Sequence, residues 1–73
     1  MKNIRFDRHA KRRMKWRRIS ENDVKLVIEE PDYKEPAIKD RLNAYKKISG
    51  RLIKVSYKEF ENEIVVISTI IKS

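Results

Sequence analysis

The chain has 73 residues, 41% of them charged, and a net charge of +8. A chain of this length forms a single domain with a thin core, which we expect to span residues 1–73. It contains no cysteine and only one histidine, a composition that excludes disulfide bonds, thiolate metal sites and a zinc site built from histidines, so we expect neither a metal nor a cofactor.

The distribution of charge indicates which class of partner the protein binds. Residues 1–18 hold nine Lys or Arg and one acidic residue, whereas residues 19–73 hold ten of each sign. A positive field confined to one segment favours a polyanion such as RNA, DNA or an acidic protein segment. No apolar stretch approaches the ~20 residues of a membrane helix and the N-terminus lacks a signal-peptide pattern, so we expect a cytoplasmic protein without a membrane partner.

The first elements along the chain are a short strand and a basic helix. Residues 3–6 are compatible with a first edge strand, although the segment is only four residues long. Asp7 is the predicted N-cap of the helix. Phe6, Ala10 and Met14 recur at a spacing of four, which is typical of the buried side of a helix.

The second helix has a sharper start. Ser20 is its predicted N-cap, and Asp23 at the third helical position completes a capping box with a shorter acid than usual. Ile19 and Val24 flank the cap as a hydrophobic staple. Pro31 ends the helix, because the residue before a proline avoids the helical backbone angles. The short connection between the two helices predicts an antiparallel hairpin.

The rest of the chain is predicted to be a loop followed by strands. Residues 31–40 are polar and contain both prolines, so we predict a loop. The hydrophobic period then changes to two, and residues 41–49, 51–60 and 63–72 are predicted strands, with a turn at Ser49-Gly50. Together the elements predict an α+β fold. In this fold an N-terminal helix hairpin, with or without a short strand before it, packs on a three- to four-stranded antiparallel sheet.

A two-residue turn at Ser49-Gly50 would fix the register of the first two strands. Ala44 then opposes Val55, and Tyr45 opposes Lys54. One sheet face becomes mostly apolar and is the face that we expect the helices to cover. The other face becomes polar and cationic, interrupted only by Leu52. Its other members are Arg41, Asn43, Tyr45, Lys47, Lys54, Ser56 and Lys58.

The first helix crowds seven cations between residues 8 and 18. Each like-charge pair at a spacing of three or four opposes folding by about 0.2–0.5 kcal/mol. This pattern favours a surface that binds phosphate groups or an acidic protein partner. The candidate nucleic-acid-binding residues are Arg8, Arg12, Lys15 and Arg17 on the helix, with Tyr45 and Lys47 on the predicted cationic sheet face. A merely solvated face is the alternative, partly neutralised by Glu29 and Glu30, which the hairpin brings back toward the first helix.

The single histidine occurs near the start of the same helix. His9, Arg13 and Trp16 share one side of it. The helix dipole and the nearby cations favour a neutral imidazole, which can accept a proton. A base beside a guanidinium suits RNA transesterification, in which the base removes the 2′-hydroxyl proton and the cation stabilises the phosphorane. A structural role for His9 is the alternative. For Trp16 we expect a place at the rim of the core rather than stacking on a base.

Several short motifs resemble a small family within the RelE/ParE-like toxin superfamily. Its signature, a His-Ala-x-x-Arg-Met helix, an Arg-Gly-Ile turn and a second helix, is similar to "HAKRRM", "RRIS" and "DV" in this chain. Further matches are Pro31-Asp32, Arg41 at the start of a strand, "GRLIKV" at 50–55 and "IVVIST" at 64–69. Together these motifs span nearly the whole chain.

The resemblance implies a toxin of a type II toxin-antitoxin pair. RelE-like members cleave messenger RNA without metal, often on the ribosome, using Lys, Arg and Tyr on the open sheet face, whereas ParE-like members poison DNA gyrase. The resemblance favours an endoribonuclease, with a non-catalytic nucleic-acid-binding or gyrase-inhibiting protein as the alternative. A cognate antitoxin is then expected, with a segment that lies across the cationic surface or adds to a sheet edge.

Matching positions supply the candidate catalytic residues. The resemblance assigns His9 and Arg13 from the helix motif, Arg41 from the strand motif and Thr69 as a hydroxyl of the last strand. Lys54 is added because it falls on the predicted cationic face. The expected roles are proton transfer for His9, phosphate binding for Arg13 and Arg41, and additional positive charge for Lys54.

The chain departs from the family pattern at several points. Arg18 stands where the family usually has glycine, so a left-handed backbone there would be strained. The sequence ends soon after the last strand, so we expect no C-terminal helix to supply a tyrosine, and the general acid is unassigned. His9 is predicted on the helix side of the sheet and Arg41 on the other side. They can share a site only if the helix overhangs a sheet edge.

Overall fold

The computed structural model describes residues 2–72 as two helices and five strands. In chain order these are β1 (Asn3–Phe6), α1 (Arg8–Arg17), α2 (Glu21–Glu29), β2 (Tyr33–Pro36), β3 (Arg41–Ile48), β4 (Arg51–Glu59) and β5 (Glu63–Ile71). The strands form one sheet in the order β1-β5-β4-β3-β2. α1 packs against β5, and α2 packs against β3 and β4. Both helices lie on the same face, so the fold is α+β with one covered and one open sheet face.

The sheet differs from the predicted one. The expectation of three to four antiparallel strands is wrong, because there are five strands and β1 pairs with β5 in parallel. The additional strand, β2, lies within residues 31–40, which were predicted to be a loop. β2 is at the sheet edge, where Pro36 can lack an N–H without losing a ladder hydrogen bond. The turn into β3 uses Lys39 and Asp40, both at φ 58°, without the glycine that signals such a hairpin.

The predicted register between β3 and β4 is confirmed. Tyr45 is opposite Lys54, and Ala44 is opposite Val55. Ser49 and Gly50 both have positive φ, 50° and 81°, as a two-residue hairpin turn requires. The covered face is therefore the apolar one, and the open face is the polar and cationic one.

The two helices begin at the predicted caps. The side chain of Asp7 accepts a hydrogen bond from the His9 backbone N–H at 3.0 Å. Ser20 and Asp23 form the predicted capping box at the start of α2. Ala10 and Met14 lie on the side of α1 that faces the sheet, and both are buried in the core. Among residues 2–72, neither helix is long and apolar enough to span a membrane.

The core lies between the helices and the covered face. Its fully buried members come from both helices and from the three longest strands, and Tyr57 is the largest side chain among them. The buried hydrophobic residues are Ala10, Met14, Ile19, Val24, Val27, Ile28, Ala44, Ile53, Val55, Tyr57, Ile64, Val65 and Val66.

Lys46 of β3 and Arg51 of β4, on the covered face, each bind the C-terminal end of one helix. Arg51 donates from Nη1 to the Arg17 carbonyl at 2.9 Å and from Nη2 to the Arg18 carbonyl at 3.2 Å. Lys46 donates from Nζ to the Glu30 carbonyl at 2.8 Å, at the end of α2. Cations are stabilising at helix C-termini, where carbonyl groups lack partners. These residues therefore connect the helices to the sheet.

The turn between the helices has the strain that the sequence predicts. Arg18 caps α1 in the left-handed conformation, with φ 54° and ψ 45°. Glycine adopts this conformation without steric cost, whereas a residue with a Cβ atom does not. The chain accepts this cost at the position where the resembling family has glycine.

Candidate nucleic-acid interface

The open face of the sheet carries a set of polar and cationic side chains, with the apolar Leu52 and Ile70 opposite Lys47 and Lys54. Alternate residues of β3 and β4 form its centre, and their register partners on β2 and β5 extend it to both sides. We refer to this set as the open-face site. Its members are Tyr33, Glu35, Arg41, Asn43, Tyr45, Lys47, Lys54, Ser56, Lys58 and Ser68. The members on β3 and β4 are those that the predicted register brings together.

A row of hydrogen-bonding groups crosses the open-face site from α1 to β2. Arg13 Nη1 lies 3.4 Å from Ser68 Oγ, at a part of the β5 edge that no other described strand covers. Ser68 is opposite Ser56, whose hydroxyl donates to Asn43 Oδ1 at 2.7 Å. Asn43 is in turn opposite Glu35. α1 therefore overhangs the sheet edge at Arg13, which is the geometry that a shared site requires.

Two tyrosines and one carboxylate form a cluster at the β2 end of this row. The rings of Tyr33 and Tyr45 stack, with centroids 5.4 Å apart and 24° between their planes. Tyr45 donates to Glu35 Oε1 at 2.8 Å, and Tyr33 donates to Glu35 Oε2 at 3.1 Å. The bond from Tyr45 and then that from Tyr33 lower the pKa of Glu35. The same bonds to Glu35 raise the pKa of both phenols, so at neutral pH the carboxylate is charged and the phenols are protonated.

Four cations of the open-face site form no salt bridge among residues 2–72. The ion pairs among residues 2–72 are Lys2–Glu59, Arg5–Glu63 and Lys46–Asp32, and none involves this site. The four cations are Arg41, Lys47, Lys54 and Lys58. Arg41 Nε is also buried without a hydrogen-bond partner among the described residues. An uncompensated guanidinium of this kind gains from an anion placed beside it.

A second cationic surface lies on the outer side of α1. Five side chains line an open hollow there, and we name them the α1 surface: Arg8, Lys11, Arg12, Lys15 and Trp16. Trp16 is 75% exposed, so the expectation that it covers the rim of the core is wrong. The reason is the orientation of α1 about its own axis. Ala10 and Met14 fix which side of α1 faces the sheet, and position 16 points away from it.

The acidic residues at the end of α2 do not pair with α1. Neither Glu29 nor Glu30 forms an ion pair with an α1 cation among residues 2–72. Both side chains are exposed. The predicted partial neutralisation of the basic helix therefore has no contact to support it, and the α1 surface keeps its charge.

The structure separates the predicted catalytic residues into groups. Arg41 and Lys54 lie in the open-face site, and Arg13 reaches it across the β5 edge. His9 is exposed one helical turn before Arg13, on the same side of α1. No group of His, Asp and Glu among residues 2–72 is suited to hold a metal ion.

Thr69 does not fit its predicted role as a catalytic hydroxyl. It is opposite Val55 on the covered face and is 0% exposed. Its Oγ1 is buried without a hydrogen-bond partner among the described residues. The cause is a bulge, because Ser56 is opposite Ser68 whereas the next residue, Tyr57, is opposite Val66. Without the extra residue Thr69 would face the open side, opposite Lys54.

Arg17 does not belong to the α1 surface either. It follows Ala10 by seven residues and so shares the side of α1 that faces the sheet. It is half-buried, and its Nη1 is buried without a partner among residues 2–72. The predicted nucleic-acid contact of Arg17 is therefore not supported. The other predicted contacts, Arg8, Arg12, Lys15, Tyr45 and Lys47, lie on one or other of the two cationic surfaces.

Three members of the open-face site were not predicted from the sequence. Tyr33 and Glu35 lie on β2, where the flanking prolines indicate a loop. Their spacing of two residues beside exposed Lys34 was the available signal for a strand. Ser68 joins the site only because of the bulge in β5, for which the sequence has no clear marker.

Sequence comparison relates this chain to a family. A profile of DUF4258, described as a domain of unknown function, matches residues 6–72. The chain belongs to this family. The match covers both helices, the strands from β2 to β5 and the whole open-face site of this DUF4258 domain. No curated protein and no solved structure matches the chain. The function of this DUF4258 domain must therefore be inferred from its site.

Proposed function

We propose that this DUF4258 domain is the toxin of a type II toxin-antitoxin pair and that it cleaves messenger RNA in the cytoplasm without a metal ion. The observation that carries the proposal is the row of hydrogen-bonding groups between Arg13 and Glu35, flanked by cations without carboxylate partners. Such a face attracts the phosphate backbone and holds positioned donors where negative charge develops. The resemblance to RelE/ParE-like toxins supports the same function.

The cations have distinct roles in the proposed cleavage. Arg41 and Lys54 are on the open face and bind the phosphates on either side of the scissile bond. Arg13 is held at the β5 edge by its contact with Ser68. From there its guanidinium stabilises the charge of the phosphorane.

The proton acceptor for the 2′-hydroxyl is assigned by comparing two side chains. Glu35 lies in the open-face site, but the hydrogen bonds from Tyr45 and Tyr33 lower its pKa and weaken it as a base. His9 is exposed one turn before Arg13, so RNA that crosses the β5 edge meets both residues. We therefore assign His9 as the base. Tyr45 is a poor donor to the leaving oxygen, because its bond to Glu35 raises the pKa of its phenol.

The direct test is cleavage of an end-labelled messenger RNA in EDTA, with and without ribosomes. The parent chain should give fragments that end in a 2′,3′-cyclic phosphate. His9→Ala, Arg13→Ala and Arg41→Ala should each reduce the rate about a hundredfold, the usual loss for one transition-state group. Lys25→Ala is the matched control, because Lys25 is an exposed cation on α2 outside both cationic surfaces.

Two results would contradict the proposal. One is growth arrest by the His9→Ala and Arg41→Ala variants that is as strong as the growth arrest by the parent chain. The other is intact messenger RNA at every protein concentration, with ribosomes present. The first result would contradict the assignment of His9 and Arg41 as catalytic residues. The second would contradict the nuclease activity itself.

The α1 surface favours a second candidate function, non-catalytic nucleic-acid binding or gyrase inhibition. Its four cations have no carboxylate partner among residues 2–72, and Trp16 is exposed among them. This arrangement binds a polyanion without needing His9. Binding that weakens steeply with salt, is lost in Arg12→Glu and leaves the RNA uncut would favour this candidate.

The proposal includes an antitoxin as partner. Four cations of the open-face site form no salt bridge among the described residues and suit an acidic segment laid across that face, and the β2 edge suits an added strand. Co-expression with the product of an adjacent reading frame should neutralise growth arrest and protect the open-face residues from hydrogen exchange. Neutralisation without any such protection would place the antitoxin elsewhere.

A further inference from the structure

The cluster of Tyr33, Tyr45 and Glu35 has the arrangement of a base-binding site. Its two rings are stacked and both hydroxyls donate to one carboxylate, so each side chain restrains the other two. We propose that this cluster binds one unpaired base of single-stranded RNA and prefers guanine. The inference deepens the proposed function, since it rests on RNA being the ligand of the open-face site.

The stacking surface is the ring of Tyr33. Tyr33 lies on β2, the edge strand, and is 54% exposed although Tyr45 covers part of its ring. A base that stacks on the exposed part extends an aromatic pair that is already ordered. The entropic cost of fixing the platform is therefore small, and every base has a flat face for such a contact.

The selective group is Glu35. It is the carboxylate of the open-face site, and a bare carboxylate repels the phosphate backbone unless the ligand donates hydrogen bonds to it. Each tyrosine uses one lone pair of one oxygen, and Asn43 is a third donor to the carboxylate, so a base that pairs with both oxygens takes the place of the Asn43 amide. Guanine offers two adjacent donors, N1–H and an N2–H, whose geometry matches a carboxylate. Adenine and cytosine offer only a single amino group, and uracil offers only N3–H.

The surrounding cations are placed to hold the flanking phosphates. Lys54 is opposite Tyr45, on the strand next to the cluster. Arg41 lies on β3 four residues before Tyr45, on the same face. Four residues along a strand span about 13 Å, close to twice the distance between successive phosphates in an extended nucleic acid. The phosphates of a nucleotide that stacks on Tyr33 can therefore contact Arg41 on β3 and Lys54 on β4.

The test uses 2′-O-methyl hexanucleotides, which lack the hydroxyl that cleavage requires. One uridine oligomer carries a single guanosine and its counterpart carries a single adenosine, and binding is followed by fluorescence anisotropy. The parent chain should bind the guanosine oligomer more tightly. Tyr33→Ala should weaken binding of both oligomers about tenfold, as expected for one lost stacking contact. Glu35→Gln should abolish the difference between them.

Two variants keep this test independent of folding defects. Tyr33→Phe retains the ring and should retain most of the affinity. Phe60→Ala removes a 50% exposed aromatic side chain outside the site and should leave both affinities unchanged. Equal binding by Tyr33→Ala and the parent, or a guanosine preference that survives Glu35→Gln, would overturn the base-binding site.

The outcomes also separate this inference from the proposed function. If messenger RNA is cleaved but Tyr33→Ala binds normally, the nuclease stands and the base-binding site falls. If the guanosine preference and its loss in Glu35→Gln are observed without cleavage, the base-binding site stands and the nuclease falls. If no oligomer binds to the parent chain, the base-binding site falls, and the cleavage assay with ribosomes decides separately on the nuclease.

Discussion

The α1 surface and the open-face site are both cationic, but they are built in different ways. On the α1 surface four cations and Trp16 project from one helix, without a carboxylate partner among residues 2–72. In the open-face site the polar groups are held by one another across several strands, as in the bonds from Tyr45 to Glu35 and from Ser56 to Asn43. The first arrangement provides charge, whereas the second provides position as well.

This difference suits the α1 surface to attracting a polyanion and the open-face site to catalysis and base selection. Flexible cations on a helix draw a polyanion to the protein and tolerate many geometries. Catalysis and base selection require donors that are already in place, because disordered groups must first be fixed. We therefore expect substitutions on the two surfaces to change different measured quantities.

The largest effect is expected from reversing charge on each surface. Lys54→Glu should reduce the rate of RNA cleavage about a hundredfold or more, since it places a carboxylate beside the reacting phosphate. Arg12→Glu should mainly weaken binding and reduce its dependence on salt. Single-turnover rates and binding at several salt concentrations would measure both. Equal losses of rate in the two variants would remove the distinction between the surfaces.

The next effect concerns how α1 is fixed over the sheet. Arg51→Ala should lower the free energy of unfolding by about 2 kcal/mol, because two charged hydrogen bonds to the end of α1 are lost. Urea denaturation would measure it, with Lys25→Ala as the control for losing an exposed cation. An unchanged unfolding midpoint would mean that the core alone holds α1 in place.

A smaller effect tests the assignment of Thr69 to the covered face. Thr69→Val should raise the free energy of unfolding by about 1 kcal/mol, since it replaces a buried hydroxyl that has no partner among the described residues. RNA cleavage should be unaffected. Ser68→Val, one residue earlier, should instead reduce cleavage because it removes the contact of Arg13. Loss of cleavage in Thr69→Val would restore its predicted catalytic role.

A stabilisation of similar or smaller size is expected at the end of α1. Arg18→Gly should raise the free energy of unfolding by about 0.5–1 kcal/mol, because glycine adopts positive φ without strain. Thermal denaturation would detect it, and Arg12→Gly, in the middle of α1, should have the opposite sign. A destabilised Arg18→Gly variant would show that the side chain contributes more than its backbone costs.

The smallest effect is the response of the open-face site to acid. Hydrogen bonds from the two tyrosines lower the pKa of Glu35, so the stability that they confer is present above its ordinary value of 4.5 and lost as the pH falls through the lowered pKa. The decrease in the denaturation midpoint between about pH 7 and about pH 3 should therefore be smaller in Glu35→Gln than in the parent. Asp32 and Glu59 have lowered pKa values too, and they remain in both proteins.

The elements that the sequence predicted correctly are those with local causes. Asp7 and Ser20 cap their helices through their own side chains, and the Ser49-Gly50 turn sets the register of the two strands beside it. The errors involve non-local causes. β2 is recruited to the sheet by β3 despite its prolines, and Thr69 is turned inward by the bulge in β5. Trp16 was predicted at the rim of the core, but the orientation of α1 that Ala10 and Met14 fix leaves it exposed.

The candidate site was predictable in part for the same reason. The alternation of β3 and β4, together with the turn that joins them, is enough to place Arg41, Tyr45 and Lys54 on one face. The contribution of β2 and the contact between Arg13 and Ser68 depend on the sheet order and its uncovered edge. These features arise from tertiary packing, which a single sequence pattern does not encode.

The position of β2 has a consequence for how such a protein can diverge. Among the described strands β2 pairs with β3 alone, and none of its four residues is buried, so they can be exchanged without rebuilding the core. Tyr33 and Glu35 both lie on this strand. In the base-binding site that we propose, base preference lies on β2 and stability lies in the core, so a new preference can evolve by changes within one peripheral hairpin.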